Sequence, residues 1–219
     1  MAISRAYTGS WPRRLPLPAE IGAGPGSRMN IPLFPLSAVL FPDGPLPLRI
    51  FEARYLDMIS RCLREDGEFG VVQIRTGTDV GEVQTTNVGT LAQIVDWYQG
   101  SDGILGITAR GTRKFALHGM SRQPDGLYVG EVEVLAGEPQ LELPDEFRPM
   151  AALLETVIND LGRLYDAIDK RYDDAAWVGC RLAEILPMPV AEKQACLELS
   201  DPIERLRLLR PMLRPLRRQ

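Results

Sequence analysis

The period of the apolar residues changes along the chain. Residues 31–50 contain two short apolar runs interrupted by prolines, which excludes a helix and predicts extended segments or edge strands. After Phe51 the apolar residues recur at helical spacing and predict one helix. Those residues are Tyr55, Ile59, Cys62 and Leu63. The first third of the chain is therefore predicted as strands followed by a helix.

Two hairpins are predicted next. Their turns are the Gly-rich or Pro-Asp-Gly clusters at 99–103 and 123–126, each between β-branched runs. In the last run Val132 and Val134 alternate with glutamates, which indicates a strand with one buried and one wet face. Short strands at this spacing, with one helix, favour a small twisted barrel or a folded sheet.

From Asp145 onward the apolar period is helical, and four helices are predicted. Asp173 or Asp174 is the expected N-cap of the second, and Asp201, followed by Pro202, that of the fourth. The third should follow Pro189. The first helix carries an apolar stripe of Phe147, Met150, Leu154, Val157, Ile158, Leu161, Leu164, Tyr165 and Ile168. Short linkers between these helices predict a bundle.

These patterns divide the chain into three parts. Residues 1–28 contain four prolines and four glycines without periodicity and are predicted to be a flexible arm, with Met29 as a candidate start. Residues 29–140 are predicted to form a strand-rich barrel, and residues 141–219 a helical bundle. Apolar faces on both halves predict a shared buried interface rather than a flexible linker.

Several segments together carry a family resemblance. The stretch 31–55, with Phe41-Pro42 at its centre, is followed in order by Phe69-Gly-Val-Val72, by the run 88–94 and by Leu186-Pro187. From about Ile31 to Leu213 the chain resembles the N-terminal substrate-binding domain of Lon proteases. The resemblance implies an α+β fold, a PUA-like barrel followed by a helical bundle, and a bacterial protein-binding module. It does not imply ATPase or peptidase activity, because the chain has neither the Walker A loop nor the Ser-Lys dyad of full-length Lon proteases.

Composition and charge limit the classes of partner that the chain is expected to bind. The apolar runs are too short to cross a bilayer, and the three cysteines have neither disulfide nor metal spacing, so buried thiols in a reducing cytoplasm are expected. The net charge is −4, although the segment 205–218 holds six arginines and no acidic residue. The acidic body opposes nucleic-acid binding. The arginines are expected on the solvated side and end of the last helix.

Catalytic chemistry finds little support in these residues. His118 is the single histidine and lacks a nucleophile motif nearby, so a surface or turn position is expected. Carboxylate clusters fall at predicted helix ends and loops, where they cap and solubilise. Around Arg49, Glu52 and Arg54 an ion-pair and capping network is expected, with a bound ligand carboxylate as the alternative. We predict no catalytic residue, no cofactor and no metal site.

Recognition through apolar surface remains. Phe41, Pro42, Trp97 and Tyr98 lie beside predicted turns, where they are candidates for a peptide-binding surface. Strand edges left unpaired by the first prolines offer a second mode. The expected partners are unfolded or exposed apolar polypeptide segments, and a Lon-type ATPase is a further candidate. Two alternatives remain open, an RNA-binding PUA-like protein and an enzyme with an unrecognised carboxylate site.

Overall fold

The computed structural model describes residues 24–77 and 83–213. Within them, strands and one helix precede a region of helices, as predicted. The strands are β1 Arg28–Leu36, β2 Pro45–Ile50, β3 Phe69–Thr76, β4 Gln84–Thr85, β5 Val88–Gln99, β6 Leu105–Arg122 and β7 Tyr128–Val134, and α1 is Ala53–Glu65. The later helices are α2 Arg148–Leu161, α3 Ala175–Ile185, α4 Val190–Glu198 and α5 Pro202–Leu209.

The strands close into a barrel. Neighbours follow the order β1-β7-β6-β5-β3, and β1 also pairs in parallel with β3, which completes the ring. Strand β6 is long enough for three partners: β5 along one side, and β2 then β7 along the other. The two predicted hairpins are the β5–β6 and β6–β7 pairs. The α+β prediction of a barrel followed by helices is therefore confirmed.

Strand β1 is not the edge strand that its prolines predict. It pairs with β7 over Arg28–Leu33 and with β3 over Leu33–Leu36. The two pairings overlap only at Leu33, so Pro32 and Pro35 each lie where the strand has a neighbour on one side. A proline can enter such a strand because it removes no hydrogen bond on its open side.

Strand β2 has one unpaired edge among the described residues. The Gly111 N–H donates to the Gly44 carbonyl at 2.9 Å. This bond shows that Gly44, and every second residue after it in β2, directs its backbone groups towards β6. Alternate residues then turn outward, so Pro45 and Pro47 face the open edge. Because prolines have no N–H group, this edge offers few donors to an added strand.

Alternation along the strands separates two apolar cores in the barrel. Leu33, Val72, Leu91, Phe115 and Val132 come from the five strands of the ring and are all buried. On β1, β3 and β5 the chain neighbours Phe34, Val71 and Ala92 point the other way and belong to a second core, to which α1 contributes Tyr55, Met58 and Ile59. This part of the protein thus has three layers: α1, the barrel wall and the barrel interior.

Two helices of the helical half begin at the N-cap residues that the sequence predicts. Asp174 accepts hydrogen bonds from the N–H groups of Ala176 and Trp177, and Asp201 from those of Ile203 and Glu204. One boundary differs from the prediction, because the stripe expected to reach Ile168 leaves the helix after Leu161. There Gly162 has φ +56°, and a 3₁₀ turn, Gly162–Leu164, follows.

The last residues of the predicted arm make backbone hydrogen bonds to the sheet. Gly26 donates its N–H to the Val134 carbonyl at 2.9 Å, and the Val134 N–H donates to the Ser27 carbonyl at 3.1 Å. Gly26 and Ser27 are therefore hydrogen-bonded to the end of β7, directly before β1 begins at Arg28. The rest of the arm, up to residue 23, lies outside the described residues.

Candidate functional site

The Phe41–Pro42 turn lies between the two halves of the protein. The Phe41 side chain is 0% exposed and belongs to the apolar core of the helical half, with Leu143 and Phe147. The Pro42 carbonyl accepts a hydrogen bond from Arg181 Nη2 at 2.8 Å. Phe41, a candidate for the recognition surface, is therefore buried, because the barrel inserts this residue into the bundle.

The next two residues continue this attachment. Asp43, at φ +59°, donates its N–H to the Gly111 carbonyl at 2.8 Å, and its carboxylate pairs with Arg171. Gly44 lies so close to the Glu184 carboxylate that a Cβ there would overlap it. We call residues 41–44 the insertion loop. It is held on one side by β6 and on the other by α3.

Gly111 gives a direct test of this close approach. A Cβ on Gly111 would overlap the Phe41 carbonyl oxygen, which is backbone and cannot swing aside. Gly111→Ala should therefore lower the free energy of unfolding by about 1–3 kcal/mol in urea titrations. Gly119→Ala is the matched control, because it lies in the same strand with no heavy atom within 4 Å of its added Cβ. Equal effects of the two substitutions would contradict the close packing.

Beneath the insertion loop lies a buried polar cluster. Arg181 is fully buried and forms an ion pair with Glu184 at 3.0 Å, and the Tyr165 hydroxyl donates to Glu184 Oε1 at 2.5 Å. Burial raises the pKa of Glu184, and the Arg181 charge only partly offsets it. All of these partners are protein groups at the junction, so the cluster fixes α3 to the loop.

A second charged cluster joins the halves, and we call it the buried triad. Lys114 of β6 donates to Glu138 Oε1 at 2.8 Å, and Arg205 of α5 donates to Glu138 Oε2 at 2.7 Å. The three side chains are at most 9% exposed. Burial alone would raise the pKa of Glu138, but the Arg205 hydrogen bond and charge, followed by those of Lys114, bring it below its usual value.

The buried triad corrects the interpretation of the arginine tail. Arg205 was expected on a solvated face, yet it is 0% exposed and also donates to the carbonyls of Cys196 and Leu199. Arg210 pairs with Glu146 at 2.8 Å on the surface. Residues 214–219 lie outside the described residues. Arg205 is thus bound within the protein, whereas Arg207 and Arg210 are exposed on the last helix and just after it.

The other predicted turn does reach the surface. Tyr98 is 55% exposed, and its ring lies over Gly106 of β6, where a Cβ would overlap it. Trp97, one residue earlier, is half-buried and packs on the core under α1. Gly106 and Gly111 are about 17 Å apart along β6, so Tyr98 and the insertion loop do not form one surface.

Phe51 is a surface aromatic that the sequence reasoning missed. It is 72% exposed and directly follows β2, where Ile50 is buried. Cross-strand partners place Arg49, Gly106 and Tyr98 in one row of the sheet, and alternation places Phe51 on the same face as Arg49. We call Arg49, Phe51 and Tyr98 the aromatic edge. The alternation at Arg49-Ile50-Phe51 was the signal that could have found it.

Charges around the aromatic edge are paired. Arg49 forms an ion pair with Asp102, a residue of the β5–β6 turn. The Ile104 N–H, followed by the Arg49 charge, lowers the pKa of Asp102. Arg54 pairs with Glu52 at 2.7 Å and donates to the Gly126 carbonyl at 2.8 Å, which fastens α1 to the β6–β7 turn. The expected network is therefore present only in part: Glu52 pairs with Arg54, whereas Arg49 pairs with Asp102, and Glu52 makes no side-chain cap bond.

The histidine and the cysteines are paired with other residues or buried. His118 lies within β6, with Nε2 2.9 Å from Glu133 Oε2. The three cysteines are free and buried, and burial raises the pKa of Cys62 to about 11. Among the described residues no group of three potential metal ligands occurs. None of the helices described is both long and apolar enough to span a membrane.

Comparisons with known proteins agree with this geometry. Residues 30–214 match the family model for the ATP-dependent protease La (LON) substrate-binding domain. The Lon N-terminal domain protein from Xanthomonas campestris has 36% identity and a TM-score of 0.69, with 83% of this chain and 96% of that one covered. The N-terminal domain of the Mycobacterium avium complex Lon protease, at 18% identity and a TM-score of 0.57, shares the fold.

The chain belongs to the LON substrate-binding domain family. Lon protease from Erwinia amylovora is 26% identical over 200 residues, which are 85% of this chain and 25% of that protein. The chain thus spans about a quarter of the length of the curated relatives it matches, and the match is to their substrate-binding part.

Proposed function

We propose that this chain is a non-catalytic module that binds exposed apolar segments of unfolded polypeptides through its aromatic edge. The observation that carries the proposal is the pair of exposed rings, Tyr98 at 55% in β5 and Phe51 at 72% directly after β2. Large apolar side chains that remain in water on a folded domain are typical of protein-binding surfaces. Membership of a substrate-binding family supports the same role.

Side chains rather than backbone groups should supply the affinity. The open edge of β2 presents Pro45 and Pro47 and is poorly suited to pair with an added strand. Burial of one aromatic ring contributes roughly 1.5–3 kcal/mol before ordering costs. The exposed Arg49–Asp102 pair contributes little by itself and can orient polar groups of the bound segment.

The binding test replaces both exposed rings. Phe51→Ser combined with Tyr98→Ser should weaken binding to a reduced, unfolded model polypeptide at least about tenfold, because each ring is a hot-spot candidate. The affinity of the wild-type protein should change little between low and high salt, since apolar burial is not screened. Fluorescence anisotropy with a labelled polypeptide measures both effects.

A matched control lies on the helical half. Leu161 is 45% exposed, similar to Tyr98, and Leu161→Ser should leave the affinity unchanged. Thermal unfolding of each variant verifies that the fold is intact. Unchanged affinity in the folded double variant, or an equal loss in the Leu161 variant, would refute the aromatic edge as the binding surface.

Hydrolytic activity is not expected of this chain. Its family match is to the substrate-binding part of Lon proteases, and its acidic groups at the junction are bonded to protein partners. The purified protein should neither hydrolyse ATP nor cleave casein. An activity that copurifies with the chain and disappears on mutation of one of its own residues would overturn this expectation.

A bound polypeptide segment would be passed on to a partner protein. We propose a Lon-type ATPase as that partner, since the relatives that match this chain are Lon proteases. We place the encounter in a reducing cytoplasm, because Cys62, Cys180 and Cys196 are free thiols.

A further inference from the structure

The ring of Tyr98 lies flat on the outer face of the sheet. Tyr98 is the cross-strand partner of Gly106, and a Cβ built on Gly106 would overlap Cζ, Cε1 and Cε2 of the ring at similar distances. A point that is about equally close to these three atoms lies over the plane of the ring, not beyond its edge. One face of the ring therefore covers Gly106, and the other face is turned to solvent, in accord with the 55% exposure of Tyr98.

The outer face of this ring is open. Among the described residues neither a cation nor a second aromatic ring lies against Tyr98, whereas three other rings of the protein each have an arginine over them. The face of an aromatic ring attracts a cation that lies within about 6 Å of its centre. The guanidinium of arginine suits such a face best, because it is planar and more weakly hydrated than an ammonium group.

Asp96 lies beside this ring. Asp96 and Tyr98 are two positions apart in β5 and pair in regular register with Thr108 and Gly106 of β6. Their side chains therefore leave the same face of the sheet, about 7 Å apart at the backbone. A side chain that covers the Tyr98 ring can thus reach the Asp96 carboxylate.

The charge of Asp96 is not neutralised. Asp96 is exposed, and its Oδ1 accepts a hydrogen bond from the Trp97 N–H at 2.9 Å, but it forms no ion pair among the described residues. Arg110, the outward residue of β6 after Thr108, is half-buried and does not pair with it. Asp102, by contrast, is already paired with Arg49. A cation of a bound segment therefore finds its counter-charge at Asp96.

We propose that the aromatic edge selects apolar segments that contain an arginine, whose guanidinium stacks on the outer face of Tyr98 and donates to the carboxylate of Asp96. A guanidinium can make both contacts at once, because its plane meets the ring while its N–H groups point sideways to a carboxylate. The inference rests on the proposed function, since it concerns the same surface, and it adds Asp96 as a specificity-determining residue.

A matched pair of peptides tests this selection. The probe is a short labelled peptide with the central sequence Phe-Leu-Arg-Leu-Phe, and in its partner citrulline replaces arginine, which keeps the shape and removes the charge. The arginine peptide should bind the wild-type protein about fivefold more tightly in fluorescence anisotropy, the combined effect of one exposed cation–π contact and one exposed ion pair. A lysine peptide should fall between the two, since an ammonium group cannot stack as a plane.

Asp96→Asn should abolish the preference by weakening the arginine peptide about fivefold. The fold should persist, because asparagine can still accept the Trp97 N–H, and thermal unfolding verifies this. Asp160→Asn, at an exposed carboxylate of α2, is the matched control and should keep the full preference.

The outcomes separate this inference from the proposed function. Equal binding of the arginine and citrulline peptides, or a preference that survives Asp96→Asn, would overturn the selection for arginine. The aromatic edge would still stand if Phe51→Ser combined with Tyr98→Ser weakened both peptides. If neither peptide bound, or if that double change weakened neither, the proposed function and the inference would both fail.

Discussion

Glu138→Gln should lower the free energy of unfolding by about 3–5 kcal/mol, because it leaves two buried cations without their counter-charge. Glu138 Oε1 accepts from Lys114 Nζ at 2.8 Å and from Arg205 Nη2 at 2.5 Å. The two cations are therefore within about 5 Å of each other, where like charges repel strongly. Urea unfolding at neutral pH measures the loss.

The matched control for this substitution is Glu146→Gln. Glu146 also pairs with an arginine, Arg210, at 2.8 Å, but both side chains are about half exposed. Its loss should change stability by no more than about 1 kcal/mol. Similar effects of the two substitutions would show that the buried triad is not what joins the halves.

The pH dependence of the same substitution has a definite sign. The folded-state pKa of Glu138 lies below its usual value, so the unfolded chain binds the proton first. The stabilisation is thus present above the unfolded pKa, about 4.3, and is lost as the pH falls through the lower folded pKa. The stability difference between wild type and Glu138→Gln should shrink in that acidic range. A difference that grows on acidification would contradict the assignment.

Local physics explains which elements the sequence could predict. Asp174 and Asp201 act as caps through bonds to residues two and three positions ahead, so their roles are visible in a short window. The helix break at Gly162 was missed because the apolar stripe continues through the 3₁₀ turn and hid it. Helix ends that have a side-chain cap are therefore easier to predict from sequence than helix ends that depend on backbone conformation alone.

Long-range pairing explains what the sequence could not predict. The partners of β1 are about forty and one hundred residues away along the chain, and Glu138 meets Arg205 across 67 residues. The prolines of β1 suggested an edge strand, because the sequence does not show that β7 pairs with β1 up to Leu33 and β3 pairs with it from Leu33 onward. The burial of Arg205 was unpredictable for the same reason, since its acidic partner lies in a linker. Of the four predicted recognition residues, Tyr98 is exposed, Pro42 and Trp97 are half-buried, and Phe41 belongs to the core.

Replacement by alanine should have opposite effects at Phe41, in the insertion loop, and at Phe51, directly after β2. Phe41→Ala removes a fully buried ring from the core of the helical half and should cost about 3–5 kcal/mol, or roughly 10 °C in melting temperature. Phe51→Ala removes a ring that is 72% exposed and should leave the melting temperature almost unchanged.

Polypeptide binding should show the reverse order. Measured well below the melting temperature of the weaker variant, Phe41→Ala should retain wild-type affinity, because its ring does not reach the surface. Phe51→Ala should weaken binding by more than about fivefold, since it removes one ring of the aromatic edge. Calorimetry and anisotropy on the two proteins provide both quantities. A folded Phe41→Ala protein that melts like wild type but no longer binds would place recognition at the insertion loop instead.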